Sequence, residues 1–247
     1  MKGSRRLSHT IRRGDNLYQI ARHYHTTVPM VLALNPRIDP YDLKAGSVIT
    51  ISPGSNFAMS QNTRPPAYPD PAAQFALLSE MREVWVQHVY WTRMLLISIA
   101  ERLNDESDVT DRLLMNPADI AAIFANYYKA DTVNTIEELL TEHLQIGAAL
   151  ITAMRDQTAE VEDLNNQWYI NADKMAAAFS SINPYYRLED IHKMLYNHLN
   201  LTAQEVALRL AGQYADDIDA FDAVEKEALE MADYFSQGIM RQFPQKF

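Results

Sequence analysis

Two hydrophobic rhythms divide the chain. Near the N-terminus, Leu7 to Arg12 alternates weakly, as a strand does. Gly14-Asp15 then marks a turn, and Leu17, Ile20, Ala21 and Tyr24 fall on one face of a helix. Thr27 is placed to cap a second helix carrying Val28, Val31, Leu32 and Leu34, which Asn35-Pro36 ends. Gly46 precedes a clear strand, Ser47 to Ile51. The predicted order is βααβ within residues 1–52.

From Ala72 onward the 3.6-residue helical period takes over, with glycine only at 147, 212 and 238. Asp70-Pro71 reads as an N-cap followed by proline in the first turn, opening a helix to about residue 103. Asn116-Pro117 gives the same signal for a helix to about 128. Further helices are expected over about 133–158 and 160–181, with a short one over 187–200. Thr202 with Glu205 reads as a capping box for a last helix to about 242, in which Gly212 introduces a kink. Long helices with short connections predict an all-α antiparallel bundle. No internal repeat is evident at this level. Between the two regions, PGSNFAMSQNTRPPAYPDP holds five of the chain's 11 prolines. The domains are therefore drawn at 1–52 for the small α+β module, 53–70 for a proline-rich linker and 71–247 for the bundle.

Composition adds compartment and charge. There is no cysteine among the 247 residues, so neither a disulfide framework nor a thiolate metal site is available. The net charge of -10 is uneven. Residues 1–52 hold eight Lys/Arg against three Asp/Glu, whereas the remainder holds 14 against 29. A basic module on an acidic body suits an anionic polymer as partner and disfavours nucleic acid, which the acidic body would repel. The basic stretch Met1 to Ser8 leads into no apolar segment, so no secretory signal is read there. No apolar run is long enough to span a membrane.

The spaced positions Gly14-Asp15-x-Leu17-x-x-Ile20-Ala21, Val28-x-x-Val31-x-x-Leu34-Asn35-Pro36-x-Ile38 and Leu43-x-x-Gly46-x-x-Ile49-x-Ile51 closely resemble the LysM family. Asn16 stands where that family commonly has Thr or Ser. The resemblance implies a carbohydrate-binding module for N-acetylglucosamine polymers, peptidoglycan or chitin. It places the sugar between two loops, here Gly14, Asp15, Asn16 and Leu17 on one side and Asn35, Pro36, Arg37, Ile38 and Asp39 on the other. Leu17 and Ile38 are expected to offer the acetamido methyl an apolar contact.

In the helical region, Trp85-x-x-His88-x-x-Trp91-Thr92-Arg93, Leu139-Leu140-x-x-His143, Trp168-x-x-Asn171-Ala172-Asp173, Ser181-Ile182-Asn183-Pro184, His198-Leu199 and Met231-Ala232-Asp233-Tyr234 resemble LysM-containing proteins of spore-forming Firmicutes. Such proteins are sometimes labelled acetylglutamate kinase, a chemistry that needs glycine-rich phosphate loops absent here. A wall-binding module without a secretory signal points to a mother-cell protein deposited on the spore surface or cell wall, with a phage protein or release by lysis as the alternatives.

His88, His143, Asn171 and Asp217 interrupt four otherwise apolar helical stripes. One expectation is a metal centre for Zn, Fe or Mn ligated by His88, His143 and Asp217 or Asp173. The other is a structural polar network joining the histidines to Asn171, Asp217, Thr92 and Tyr214. No nucleophile-base motif is present. The preferred function is therefore non-catalytic, with the bundle serving self-association or a protein partner. The alternative is a wall-targeted bundle metalloenzyme.

Overall fold

The computed structural model describes residues 6–40, 43–54 and 70–247. The expected linker lies almost wholly outside the described residues. The chain divides into two units, residues 1–74 with 244–247, and residues 75–243.

In the first unit, β1 (Leu7–Thr10) pairs antiparallel with β2 (Val48–Ile51), Leu7 opposite Ile51 and Thr10 opposite Val48. Helices α1 (Leu17–His23) and α2 (Val28–Leu34) lie between them in sequence. Each helix begins on a side-chain cap. Asn16 Oδ1 accepts from Gln19 N at 2.9 Å, and Thr27 Oγ1 accepts from Met30 N at 3.3 Å. Ile11, Leu17, Ile20, Tyr24, Val31, Ile49 and Ile51 form the core. Leu34, expected on the core stripe, is only half-buried.

The second unit is all-α: α3 (Pro71–Glu101), which begins just before it, α4 (Glu106–Leu113), α5 (Asn116–Ala125), α6 (Ala130–Asp156), α7 (Val161–Ile182), α8 (Leu188–Leu210) and α9 (Tyr214–Gln242). A short 3-10 turn at Pro244–Lys246 follows, in the residues grouped with the first unit. Its helices pair as three hairpins: α6 with α7 and α8 with α9 pack directly, and α5 is joined back to α3 through Asn116, which bonds His88 and Val84. Helix α9 returns against α3 through Arg82–Asp233, stacked Trp85 and Phe235, and Tyr90–Glu225.

The three hairpins repeat. Met81, Ile136 and Ile191 recur every 55 residues, as do Trp85, Leu140 and Leu195, and His88, His143 and His198; all are buried. Each first helix ends in the same way. Arg102, Gln157 and Gly212 take positive φ, of 53°, 55° and 71°, at the same interval. The amide one residue later bonds back to Ser98, Ala153 and Leu208 respectively. That is a Schellman closure, in which a left-handed residue turns the chain out of the helix. In the second helices, Asn116, Asn171 and Glu227 are each followed four residues on by Ile120, Met175 or Met231, and eight on by Phe124, Phe179 or Phe235. The three phenyl rings meet, with centroids 5.5, 6.0 and 4.5 Å apart.

The structure corrects three sequence expectations. Helix α8 runs straight through Thr202, so Thr202 is not an N-cap and Glu205 is not its capping partner. Both side chains are buried mid-helix, and packing outweighs the local capping signal. Gly212 ends α8 instead of kinking a longer helix. Asn116 is the first residue of α5 and not its N-cap, and it spends its amide on α3.

Candidate functional site

The first candidate site is on the small module. Asn35 has its side chain locked to the sheet: Nδ2 donates to Val31 O and Thr50 O, and Oδ1 accepts from Thr50 N, all at 2.7 Å. Its amide thus serves as a further strand rung, and it holds the following loop against β2. That loop, Asn35, Pro36, Arg37, Ile38 and Asp39, lines one groove with Lys44, Ser47 and Val48, in a space of about 580 Å³. Val48 is an apolar side chain left 64% exposed at the groove's edge. Arg37 and Asp39 are exposed, whereas Ile38 is half-buried and packs on the core. The groove therefore offers backbone polar groups, one apolar surface and charge of both signs.

The other expected loop is spent on folding. Gly14 takes φ +92°, which only glycine adopts readily. The Asp15 side chain is buried, and its Oδ2 accepts from Arg12 N and pairs with His9 Nε2, each at 2.9 Å; His9 Nδ1 in turn meets the Tyr24 hydroxyl at 3.1 Å. Asn16 is the α1 cap. Leu17 is 4% exposed and belongs to the core, so it offers the groove no apolar surface. Lys44, Ser47 and Val48 were not foreseen as groove residues, because the spacing of hydrophobics reports burial and says nothing of what an exposed edge residue faces.

The LysM domain profile matches residues 9–52. Those residues are a LysM domain. A LysM domain implies binding to peptidoglycan or chitin. Comparison with curated proteins and with solved structures returned no match.

The second candidate site is in the helical unit, behind the LysM domain in sequence. His88, His143 and His198 line a single small cavity of about 30 Å³, together with Thr92, Thr202 and apolar side chains such as Leu95, Leu150 and Val206. Ring centroids of His88 and His143 lie 5.8 Å and 6.1 Å from that of His198. Each ring is held through Nδ1 by the second helix of its own hairpin: His88 with Asn116 Oδ1 at 3.0 Å, His143 with Asn171 Oδ1 at 3.0 Å, and His198 with Glu227 Oε2 at 3.1 Å. The Asn116 amide nitrogen donates to Val84 O and that of Asn171 to Leu139 O. Both amide oxygens therefore face the rings as acceptors, and Nδ1 carries the proton in His88 and His143. Burial, reinforced by the neighbouring rings, pushes His88 down to about 4 and His143 to about 3, so both are neutral at pH 7.

The expected His/His/Asp ligand set is not assembled. Asp217 is fully buried, but it accepts from Arg93 at 2.9 Å and 3.1 Å, with Arg209 3.5 Å away. Asp173 is at the surface with Tyr196 and His192, both about 3 Å away. Tyr214 is half-exposed, with Arg209 over its ring. Among the described residues, no group of three or more His, Asp or Glu side chains is placed to hold a metal ion. His198 escaped sequence reading because a single histidine in a short predicted helix carries no signal. The even spacing of 88, 143 and 198 was the available clue.

Asp217 belongs to a separate buried charge cluster. Arg93 also donates to Glu205 at 2.5 Å and stacks over Phe221. Burial pushes the Glu205 carboxyl up to about 7, against the pull of Arg93. The folded state thus binds the Glu205 proton more tightly than the unfolded chain does. Its stabilising contribution is present at low pH and is lost as pH rises from about 4.5 to about 7. Chemical denaturation of wild type and Glu205→Gln across this range is expected to show the wild type losing about 2 kcal/mol relative to the variant between about pH 5 and about pH 8. Parallel pH profiles would contradict the assignment.

Proposed function

We propose that this chain is a non-catalytic protein of the bacterial cell wall or spore surface. In this reading the LysM domain grips N-acetylglucosamine polymers in the groove beside Arg37 and Val48, and the helical unit serves assembly or recruits a protein partner. The observation that carries the proposal is the LysM match at residues 9–52, together with a groove flanked by the loop that Asn35 fixes. The charge distribution supports it, since the LysM region is basic and wall polymers are anionic. No helix among the described residues is long and apolar enough to cross a membrane.

A single groove this shallow predicts a Kd on the order of micromolar to millimolar, equivalent to about 4–8 kcal/mol. Chitin oligomers are uncharged, so their binding should vary little with salt, while binding to intact walls should weaken as salt screens the basic module. Longer oligomers should bind more tightly as they fill more of the groove. Immunolocalisation on spores and vegetative walls tests the compartment. Signal confined to the cytoplasm through sporulation and growth would reject it.

A further inference from the structure

We propose that the groove between α8 and α9 binds an organic cation of the primary-ammonium class, with the Glu227 carboxylate on its inner wall. The three-hairpin repeat points there through a departure from its own pattern. Asn116 and Asn171 each give a histidine ring their amide oxygen, and their Nδ2 atoms donate to Val84 O and Leu139 O. The third hairpin puts Glu227 in that place. Its Oε2 meets His198 Nδ1 at 3.1 Å, as the amide oxygens meet their rings. Its Oε1 stands in for the amide nitrogen, but a carboxylate oxygen has no hydrogen to give. The backbone carbonyl it would serve is that of Met194, which follows Val84 and Leu139 at the same interval of 55 residues.

Two acceptors thus meet where the other hairpins pair a donor with an acceptor. Glu227 is 6% exposed, and its Oε1 is buried without a hydrogen-bond partner among the described residues. A buried carboxylate oxygen calls for a donor and for positive charge. Since His198 engages only Oε2, both must come from elsewhere.

Glu227 and Met194 line the same open groove, of about 800 Å³. That is the size of a small-molecule site. The rest of the lining suits a cation. Asp190 and Glu230 add two carboxylates against Lys193, while His192 pairs with Asp173 at 2.9 Å. Arg187 Nε stands 3.8 Å from Asp190. Tyr196 and Tyr234 also line the groove. The Tyr196 hydroxyl donates to Asp173, and that of Tyr234 accepts from Arg187 N. Both tyrosines therefore bring rings to the groove more than hydroxyls, and aromatic rings attract cations. An alkylammonium ion answers each feature. Its N–H groups donate to Oε1 and to the spare lone pair of Met194 O, its charge offsets the carboxylates, and its alkyl chain lies along the rings.

The test is calorimetric titration of full-length protein at neutral pH with butylammonium and, separately, with tetramethylammonium, which has the same charge but no N–H. The expected result is saturable binding of one butylammonium per chain, about tenfold or more tighter than tetramethylammonium, because the hydrogen bond to a charged oxygen is lost with the N–H. Glu227→Gln removes the charge and restores the amide that the other hairpins carry. It should weaken butylammonium binding about tenfold or more, while the exposed control Glu162→Gln leaves it unchanged. Should Glu227→Gln fail to fold, amide chemical shifts of the wild type decide, with the largest butylammonium-induced changes expected within residues 190–200 and 227–234. Wild-type protein that shows no saturable binding at millimolar butylammonium overturns the proposal. So does equal affinity for tetramethylammonium, a folded Glu227→Gln that binds as wild type does, or shift changes centred elsewhere.

Discussion

Arg93→Met is expected to destabilise the helical unit by about 3–5 kcal/mol, because it removes the cation shared by two buried carboxylates. Glu205 is 2% exposed and Asp217 is fully buried. Arg93 donates to both, so its loss strands Glu205 without a cation and leaves Asp217 to Arg209 alone. Methionine keeps much of the aliphatic length, so the loss reports the charge more than the packing over Phe221. The repeat supplies a rescue. Where the first hairpin has Arg93, the other two have Ala148 and Ala203. Where the third has Glu205, the others have Leu95 and Leu150. Arg93→Ala with Glu205→Leu should therefore recover about half of the loss, since replacing a buried pair by apolar side chains is often neutral or favourable. Urea denaturation of the three proteins at constant m-value provides the check. A single substitution costing less than about 1 kcal/mol would place Arg93 among ordinary surface pairs and contradict the cluster.

Phe235→Ala should cost about as much, roughly 3–5 kcal/mol, for a different reason. Its ring is fully buried, stacks on Trp85 at 5.6 Å, and contacts Phe179, Phe124 and Tyr186. All three hairpins meet there, so the cavity left by alanine is walled by side chains from three directions and cannot easily collapse. The backbone is committed as well, because the Tyr186 hydroxyl donates to Phe235 O at 2.6 Å. Gly238 lies one turn on, where a Cβ would fall inside the Tyr186 ring, so that ring has no room to move in. Phe235→Leu, which retains most of the volume, should lose markedly less, about 1–2 kcal/mol. Equal losses for the two variants would show that the ring cluster is not tightly packed.

The LysM domain was legible because its determinants are local. The caps at Asn16 and Thr27, the turn glycines and the alternating strand Val48–Ile51 each announce themselves within a few residues. Its groove was half legible. Sequence pattern located the loop Asn35 to Asp39, but it could not show that Asp15 and Leu17 face inward or that Val48 faces out. In the helical unit the period gave most of the helices, though not α4, and two of the three buried histidines, His88 and His143. It failed where a local signal competed with tertiary packing, as at Thr202, whose capping motif is overridden by a continuous α8. Partnerships were out of reach for the same reason. Asp217 was correctly read as a buried acid, but its partner Arg93 sits 124 residues away, and nothing in either helix alone says that they meet.

Titration of full-length protein with chitin oligomers, paired with a peptidoglycan pull-down, shows whether the groove beside Arg37 and Val48 holds N-acetylglucosamine polymers. Wild type is compared with Arg37→Glu and Val48→Asp. Both residues are exposed on the groove and outside the core, so both variants should fold normally and melt as wild type does. The wild type is expected to bind saturably, more tightly as the oligomer lengthens, and each variant to lose about tenfold or more, equal to about 1.4 kcal/mol. A folded wild-type protein that binds neither peptidoglycan nor any chitin oligomer, or variants that bind as wild type does, would contradict that role for the groove.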